Sequence, residues 1–363
     1  MQHVLLPALP MSSNAEAMKS STRSGDPATP ASHAAALSGE GTMDARPTIR
    51  RREAVAFTPW PVGTLPLLSR LYASRGADTP ELAQPRLADL HPPELMSGMQ
   101  GAVQLLTDAI AQDQRIVVVG DFDCDGATAC AVGVRGLRML GARHVAHAVP
   151  NRMVHGYGLS PALVEELATL QPDLLVTVDH GIACHAGVAA AKARGWKVLV
   201  TDHHLPGPAL PAADVIVDPN LHEDAFPSKS LAGVGVIFYV LLALRRHLRE
   251  RGVFADGKGP ELGSLLDLVA VGTVADLVVL DANNRALVNA GLRRLRSGQA
   301  CVGLKALIEA SGRDAARLTS TDIGFALGPR LNAAGRLEDM ALGIALLLPE
   351  DPRQARDIAQ TLE

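Results

Sequence analysis

The sequence predicts an α/β fold, with a doubly wound, mostly parallel sheet followed by a helical region. Three observations carry that expectation. Between about residues 115 and 220, short β-branched runs alternate with amphipathic helical stretches. The runs are apolar at successive positions, as expected of strands covered on both faces. Each run is followed by ionisable or amide groups, at the edge where ligands of such sheets bind.

In order, "RIVVVG" predicts the first strand and residues 126–140 a helix. "HVAHAVP" predicts the next strand, before a helix over 160–170, and "DLLVTV" precedes a helix over 183–194. "KVLVT" and "DVIVD" complete five strands. After residue 228, "SLAGVGVIFYVLLALRRHL" and "PELGSLLDLVAVGTVADLVVL" lack strand alternation and predict buried helices. The expected organisation is a disordered tail over 1–45, rich in Ala, Ser, Thr, Gly and Pro, then a helical lead-in over 46–114. An α/β domain over 115–280 and a helical region with a basic face over 281–363 follow.

At 363 residues and 47% hydrophobic content, the chain can bury a sizeable core. A net charge of -4 excludes a global basic signature, so nucleic-acid binding must rest on local patches. Cys124, Cys130, Cys184 and Cys301 show no C-x-x-C spacing, which fits a reducing, cytoplasmic compartment. No basic region precedes the apolar start, so no signal peptide is expected, and no run is long enough to span a bilayer.

"GDFDCDG" places Asp121, Asp123 and Asp125 two apart at the end of the first strand. Alternate side chains of an extended segment point the same way, so carboxylates there can converge on a divalent cation. The competing reading is conformational, with Asp125 capping the following helix. The polar strand ends decide for a site: Asn151, Arg152 and His155; Asp179 and His180; Asp202, His203 and His204; Asp218 and Asn220. Adjacent histidines on an extended segment point oppositely, so one of His203 and His204 ligates while the other reaches outward. Asp202 either bonds loop amides or orients His203. Asp276, set in apolar sequence, needs a cation or a hydrogen-bonding cage. Five basic residues between Arg285 and Lys305, then Arg330, Asn332 and Arg336, read as phosphate contacts.

The series "GDFDCDG", "VPNRMVHGYGLS", "VTVDHGI", "VTDHHLPG", "DPN", "LAGVGVIFYVL", "VGTVADLV" and "PRLNAAGR" resembles the DHH phosphoesterases, within them the single-strand-specific DNA exonucleases, over about residues 60–363. The resemblance implies a phosphodiesterase using two divalent cations, Mn2+ or Mg2+. It would digest single-stranded DNA from the 5′ end to mononucleotides in repair and recombination. Implied metal ligands are Asp121, Asp123, Asp125, Asp179, His203 and Asp276, with Asp179 bridging. Asp123, Asp125, Asp179, His203 and His204 carry the chemistry, and His204 faces the phosphate. His204, Asn151, Arg152, His155, Arg330, Asn332 and Arg336 are the implied substrate contacts. Single-strand-binding protein and a helicase are the implied protein partners.

Two departures stand out. Val119 occupies a position where some relatives have a histidine, leaving one metal short of an imidazole. The second catalytic-side domain (DHHA1) and the oligonucleotide-binding barrel (OB) of such proteins are not found before Glu363, so the chain reads as an amino-terminal fragment. The alternatives are another DHH enzyme, such as an oligoribonuclease, a cyclic-dinucleotide phosphodiesterase or a pyrophosphatase, or a non-catalytic scaffold. Intact acidic positions speak against the scaffold, since an unused carboxylate cluster is an electrostatic cost.

Overall fold

The sheet has the strand order β2-β1-β3-β4-β5, and all its neighbours run parallel. Its strands are β1 (Ile116–Val119), β2 (Val145–Ala148), β3 (Leu174–Val178), β4 (Lys197–Thr201) and β5 (Val215–Val217). This computed structural model describes residue 60 and residues 63–152, 154–337 and 340–362, side chains over 335–337 apart. The expected tail over 1–45 therefore lies outside the described residues.

Alternation along β1 shows why the sheet is covered twice. Ile116 and Val118 enter one core, with Leu137, Ile237 and Leu268, while Val117 and Val119 enter the other, with Leu163, Val188 and Val200. Period-two geometry sends neighbours to opposite faces, and both faces here are apolar, so each needs its own helical layer. Helices Pro161–Leu167 and His185–Ala193 cover the smaller core. Helices Met99–Ala111, Cys124–Met139, Gly233–Glu250 and Leu266–Ala275 build the larger one.

Strand order sets the position of the site. The chain leaves β1 in one direction to reach β2 and then crosses back beyond β1 to β3, so the winding reverses between β1 and β3. Loops at such a switch point diverge and leave a crevice at the carboxyl ends of the strands. Asp121 to Asp125 follow β1 and Asp179 follows β3, on its two sides.

Beyond β5 the described chain is helical, through Gly233–Glu250, Leu266–Ala275, Ala282–Arg296, Val302–Ala310, Gly328–Leu337, Met340–Leu347 and Pro352–Thr361. The helix Leu266–Ala275 packs against 124–139 on one side and 282–296 on the other. The apolar faces of the helical region thereby continue the core of the sheet.

Candidate metal centre

Helix 124–139 starts with Asp123 as its N-cap, the side chain accepting from the Gly126 N–H at 2.9 Å. That corrects the capping alternative, which fell on Asp125. Asp125 already lies in the helical first turn, and its carboxylate crosses to another helix, accepting from the Gly233 N–H at 2.7 Å and the Val234 N–H at 3.1 Å. A helix N-terminus presents unpaired N–H groups and partial positive charge, so it holds a buried carboxylate in place.

Asp179 turns out of β3 with φ +66, a left-handed conformation that aspartate tolerates better than most residues. Its amide still donates to the Thr201 carbonyl at 3.0 Å, so the ladder runs to the last possible residue before the carboxylate is presented. The space for it is made by glycine: a Cβ on Gly233 would lie 2.4 Å from Asp179 Oδ1. Gly272 does the same for Asp125, with a built Cβ 2.6 Å from Oδ1.

Two sets of ligand-type atoms come together, each within 4.8 Å: Asp125, His203 and Asp276, and Asp179, His203 and His204. His203 joins them. Its Nε2 is 3.1 Å from Asp179 Oδ1 and 3.7 Å from Asp276 Oδ2, yet it is buried and makes no hydrogen bond. An imidazole nitrogen surrounded by carboxylates but bonded to none fits ligation of a cation between them. The neighbouring histidines do not point oppositely as expected. The strand ends at Thr201, and the two rings lie 4.5 Å apart at 53°.

The electrostatics agree. Burial, reinforced by Asp179 and Asp276, pushes Asp125 well above the usual carboxylate range, and burial together with Asp123 and Asp121 does the same to Asp179. Asp276 is raised mainly by burial and is opposed by His203. Carboxylates raised by burial and one another are what a missing positive charge would relieve. Oxygen and imidazole donors suit Mn2+ or Mg2+. Cys124 supplies no thiolate, because burial and the surrounding aspartates push its thiol far up.

The remaining positions divide. Asp121 is buried beside this group but outside both sets; it accepts the Phe122 N–H and is pushed up to about 7 by burial. Asp123 also lies outside them, occupied as an N-cap. Asp202 accepts the Ile182, His203 and His204 amides and holds His204 Nδ1 at 2.7 Å, so it orients His204 rather than His203. That hydrogen bond raises the His204 pKa. His180 was read only as part of a polar strand end; its Nε2 lies 3.0 Å from the Val119 carbonyl, and burial depresses it to about 4. The valine at 119 thus packs where its carbonyl bonds a neutral histidine.

Among expected substrate contacts, His155 is taken up within its own loop and with helix 161–167. Its Nδ1 accepts the Asn151 N–H at 3.0 Å, its Nε2 lies 3.0 Å from Glu166, and only 7% of its side chain is exposed. Both nitrogens are used in shaping the "HGYG" turn. Arg152 is exposed and lies 5.0 Å above the Phe122 ring, and Asn151 is half-buried at the same loop. Asn332 Oδ1 accepts the Cys124 N–H at 2.7 Å, joining helix 328–337 to the acidic loop. Arg330 donates to the Ala326 carbonyl at 3.0 Å, and the side chain of Arg336 lies outside the described residues.

Three of the five basic residues over 285–305 bond within the chain, while Arg293 and Lys305 are exposed. Arg285 donates to the carbonyls of Leu280 and Leu82, Arg294 to that of Gln299, and Arg296 to that of Leu318. These guanidiniums close helix ends and loops. Sequence reasoning missed the π-helical turn Ile323–Leu327, which packs on the end of helix 266–275. It leaves no period in the residue pattern.

Residues 115–273 match the DHH family, N-terminal domain. The chain is 54% identical over 316 residues to the single-stranded-DNA-specific exonuclease RecJ of Dickeya dadantii (strain 3937), covering 86% of this chain and 55% of that protein. The crystal structure of exonuclease RecJ bound to manganese superposes with a TM-score of 0.65 at 38% identity, over 74% of this chain and 65% of that one. RecJ from Thermus thermophilus in complex with Mn2+ gives 0.66 at 37% identity, over 80% and 40%; its Mg2+ complex gives 0.59 at 33%, over 80% and 37%. The chain spans about half the length of the curated relatives it matches.

Proposed function

The chain belongs to the DHH family, in its RecJ group, and from that premise we propose that it is a metal-dependent exonuclease specific for single-stranded DNA. It hydrolyses phosphodiester bonds from the 5′ end and releases mononucleotides, in repair and recombination. The observation that carries the reading is the convergence of Asp125, Asp179, His203 and Asp276 about a buried imidazole nitrogen without a hydrogen bond.

Two divalent cations, Mn2+ or Mg2+, would be held by Asp125, Asp179, His203 and Asp276, with Asp179 the candidate to be shared and Asp121 and Asp123 beside them. When bound, such ions lower the pKa of water and neutralise charge on the transferring phosphate. The chain's own residues do the rest. The amide pair at Gly233 and Val234 fixes the Asp125 carboxylate, so no reorganisation is needed as charge develops. Asp202 locks the His204 ring through Nδ1, leaving the other nitrogen of a half-exposed imidazole free to face the phosphate. The raised His204 pKa favours the protonated form that would donate to a phosphate oxygen. Arg152 stands beside this edge on Phe122 as the candidate contact for a second phosphate. Single-stranded DNA is the proposed partner, with the cytoplasm as its place of action; single-strand-binding protein and a helicase follow from family resemblance alone.

Digestion of 5′-labelled and 3′-labelled single strands and of a duplex, with this chain and Mn2+, tests the proposal. Labelled mononucleotide should appear first from the 5′-labelled single strand, and the duplex should resist. Equal cleavage of duplex and single strand, or release from the 3′ label first, would count against it.

A further inference from the structure

Helix 266–275 ends at Asp276, and the chain beyond it behaves oddly for a protein surface. Leu277 is 85% exposed and Val279 69% exposed, and Leu277 is held with φ +62. A left-handed conformation is uncommon outside glycine, asparagine and aspartate, and strained residues cluster where function over-determines them. The π-helical turn Ile323–Leu327 lies against the same helix end. A Cβ on Gly324 would be 3.7 Å from Val274 Cγ1, and one on Gly328 would be 3.2 Å from Ala275 Cβ.

Within that turn Ile323, Ala326 and Leu327 are buried, while Phe325 is 80% exposed. Among the described residues it is the only phenylalanine on the exposed surface, in a chain with 3% aromatic content. Leaving a phenylalanine in water forgoes the stabilisation that burying its ring would bring. π-Turns inserted in α-helical sequence frequently mark functional sites, because the extra residue re-aims one side chain. Further along the same helical stretch, Asn332 holds the Cys124 amide, so the segment that carries Phe325 is fixed to the acidic loop. Three exposed apolar side chains thus lie on two segments that meet at the end of helix 266–275, one of them starting directly after Asp276.

We propose that Phe325, together with Leu277 and Val279 at the same helix end, is the surface on which unstacked bases of a single strand rest while a phosphate is held at the carboxylates. The inference deepens the proposed function and rests on it. A base offers an apolar face to this surface only when it is free of its complement, and stacking on an aromatic ring is sequence-tolerant. The platform therefore gives a physical source of strand selectivity that the carboxylates, which see only phosphate, cannot provide. Duplex bases are already stacked and paired, and reaching Phe325 would require opening them.

Affinity for a single-stranded oligonucleotide, and for the same strand with abasic sites, measured in chelator for the wild type, Phe325→Ala and Phe325→Trp, tests the platform. The alanine variant should weaken binding of the normal strand by roughly tenfold, the size expected of one base stacked on one ring. Tryptophan should retain it, and the abasic strand should not distinguish wild type from alanine. Equal losses on both strands, no loss on either, or a loss with tryptophan would overturn the inference. Wild type that binds strands base-dependently through Phe325 but does not hydrolyse them with Mn2+ would support the platform while sinking the nuclease reading. Wild type that binds no strand in chelator would overturn the platform and leave the nuclease reading to the hydrolysis assay with Mn2+.

Discussion

At the carboxyl edge of the sheet, Asp125, Asp179 and Asp276 face one another, and among the described residues the ion pairs of Asp179 and Asp276 are with His203 alone. Along residues 285–296 the arrangement is reversed: Arg285, Arg294 and Arg296 lie in a stretch without an acid, yet each donates to a backbone carbonyl. Both regions carry one sign of charge, and they differ in what surrounds it. Each of these guanidiniums finds a neutral acceptor, whereas the clustered carboxylates, of which Asp125 already holds two backbone N–H groups, still repel one another. An uncompensated cluster points to an external ion; a run of like charges in sequence does not.

The comparison can be broken most decisively at Asp179. Asp179→Ala should lower Mn2+-dependent hydrolysis by about a hundredfold or more, because it removes the carboxylate shared by the proposed ions. In chelator the relief of repulsion by Asp123 and Asp121 should offset the strain of alanine at φ +66, so that the melting temperature moves by only a few degrees. Retention of a tenth of wild-type turnover at saturating Mn2+ would refute the bridging role.

Crowding the carboxylates should come next in size. Gly233→Ala and Gly272→Ala place a methyl against Asp179 Oδ1 and Asp125 Oδ1 respectively, inside any normal contact distance. Each should destabilise the protein by about 1–3 kcal/mol and cost roughly tenfold in turnover as the ligand shifts. Urea unfolding and steady-state rates check both, and a fully active Gly233→Ala would show that the tight approach is not needed.

The pH dependence separates the two regions without mutation. Asp121, raised to about 7 by burial, binds more protons folded than unfolded between about pH 4 and 7. Its stabilising effect is fully present below about pH 4 and is lost as pH rises through 7, so the metal-free protein should lose stability across that window. Asp125 and Asp179, shifted in the same direction, add to the trend. The expected drop is on the order of 5 °C in melting temperature. Saturating Mn2+ should reverse it, because the cation binds the deprotonated set and stabilises by linkage. A metal-free melting temperature that rises steadily from about pH 4 to 7 would mean the carboxylates are not mutually repelled.

How much of this was legible in sequence follows the range of the interactions. The strands were readable because apolar runs and their polar ends are local, and β1 and β3 carried the acids to the reversal of winding. The partners of the acids were not. Asp125 bonds amides 108 and 109 residues away, so no local cue distinguishes it from the cap that Asp123 provides. His155 read as a contact because nothing adjacent reveals Glu166 across the turn. The arginines misled for the same reason: a helical pattern shows which residues are charged, but not that Leu82, lying 203 residues before Arg285, offers it a carbonyl.

The smallest expected effect bears on those arginines. Arg296 donates through Nε to the Leu318 carbonyl at 2.6 Å and so joins helix 282–296 to the segment beyond helix 302–310. Arg296→Ala should cost about 1 kcal/mol of stability, the usual size of one partly exposed hydrogen bond. If the guanidinium were also a phosphate contact, removing it would lower the salt dependence of single-strand binding by about 0.7 in the slope of log affinity against log salt. The structural role predicts no change in that slope, because an arginine spent on a carbonyl releases no counterion from the strand. Titrating a labelled oligonucleotide at several salt concentrations, wild type beside variant in chelator, measures the slope independently of the stability loss. A reduced slope with unchanged stability would restore the basic face as a phosphate track, and the contrast between the two charged regions would fail.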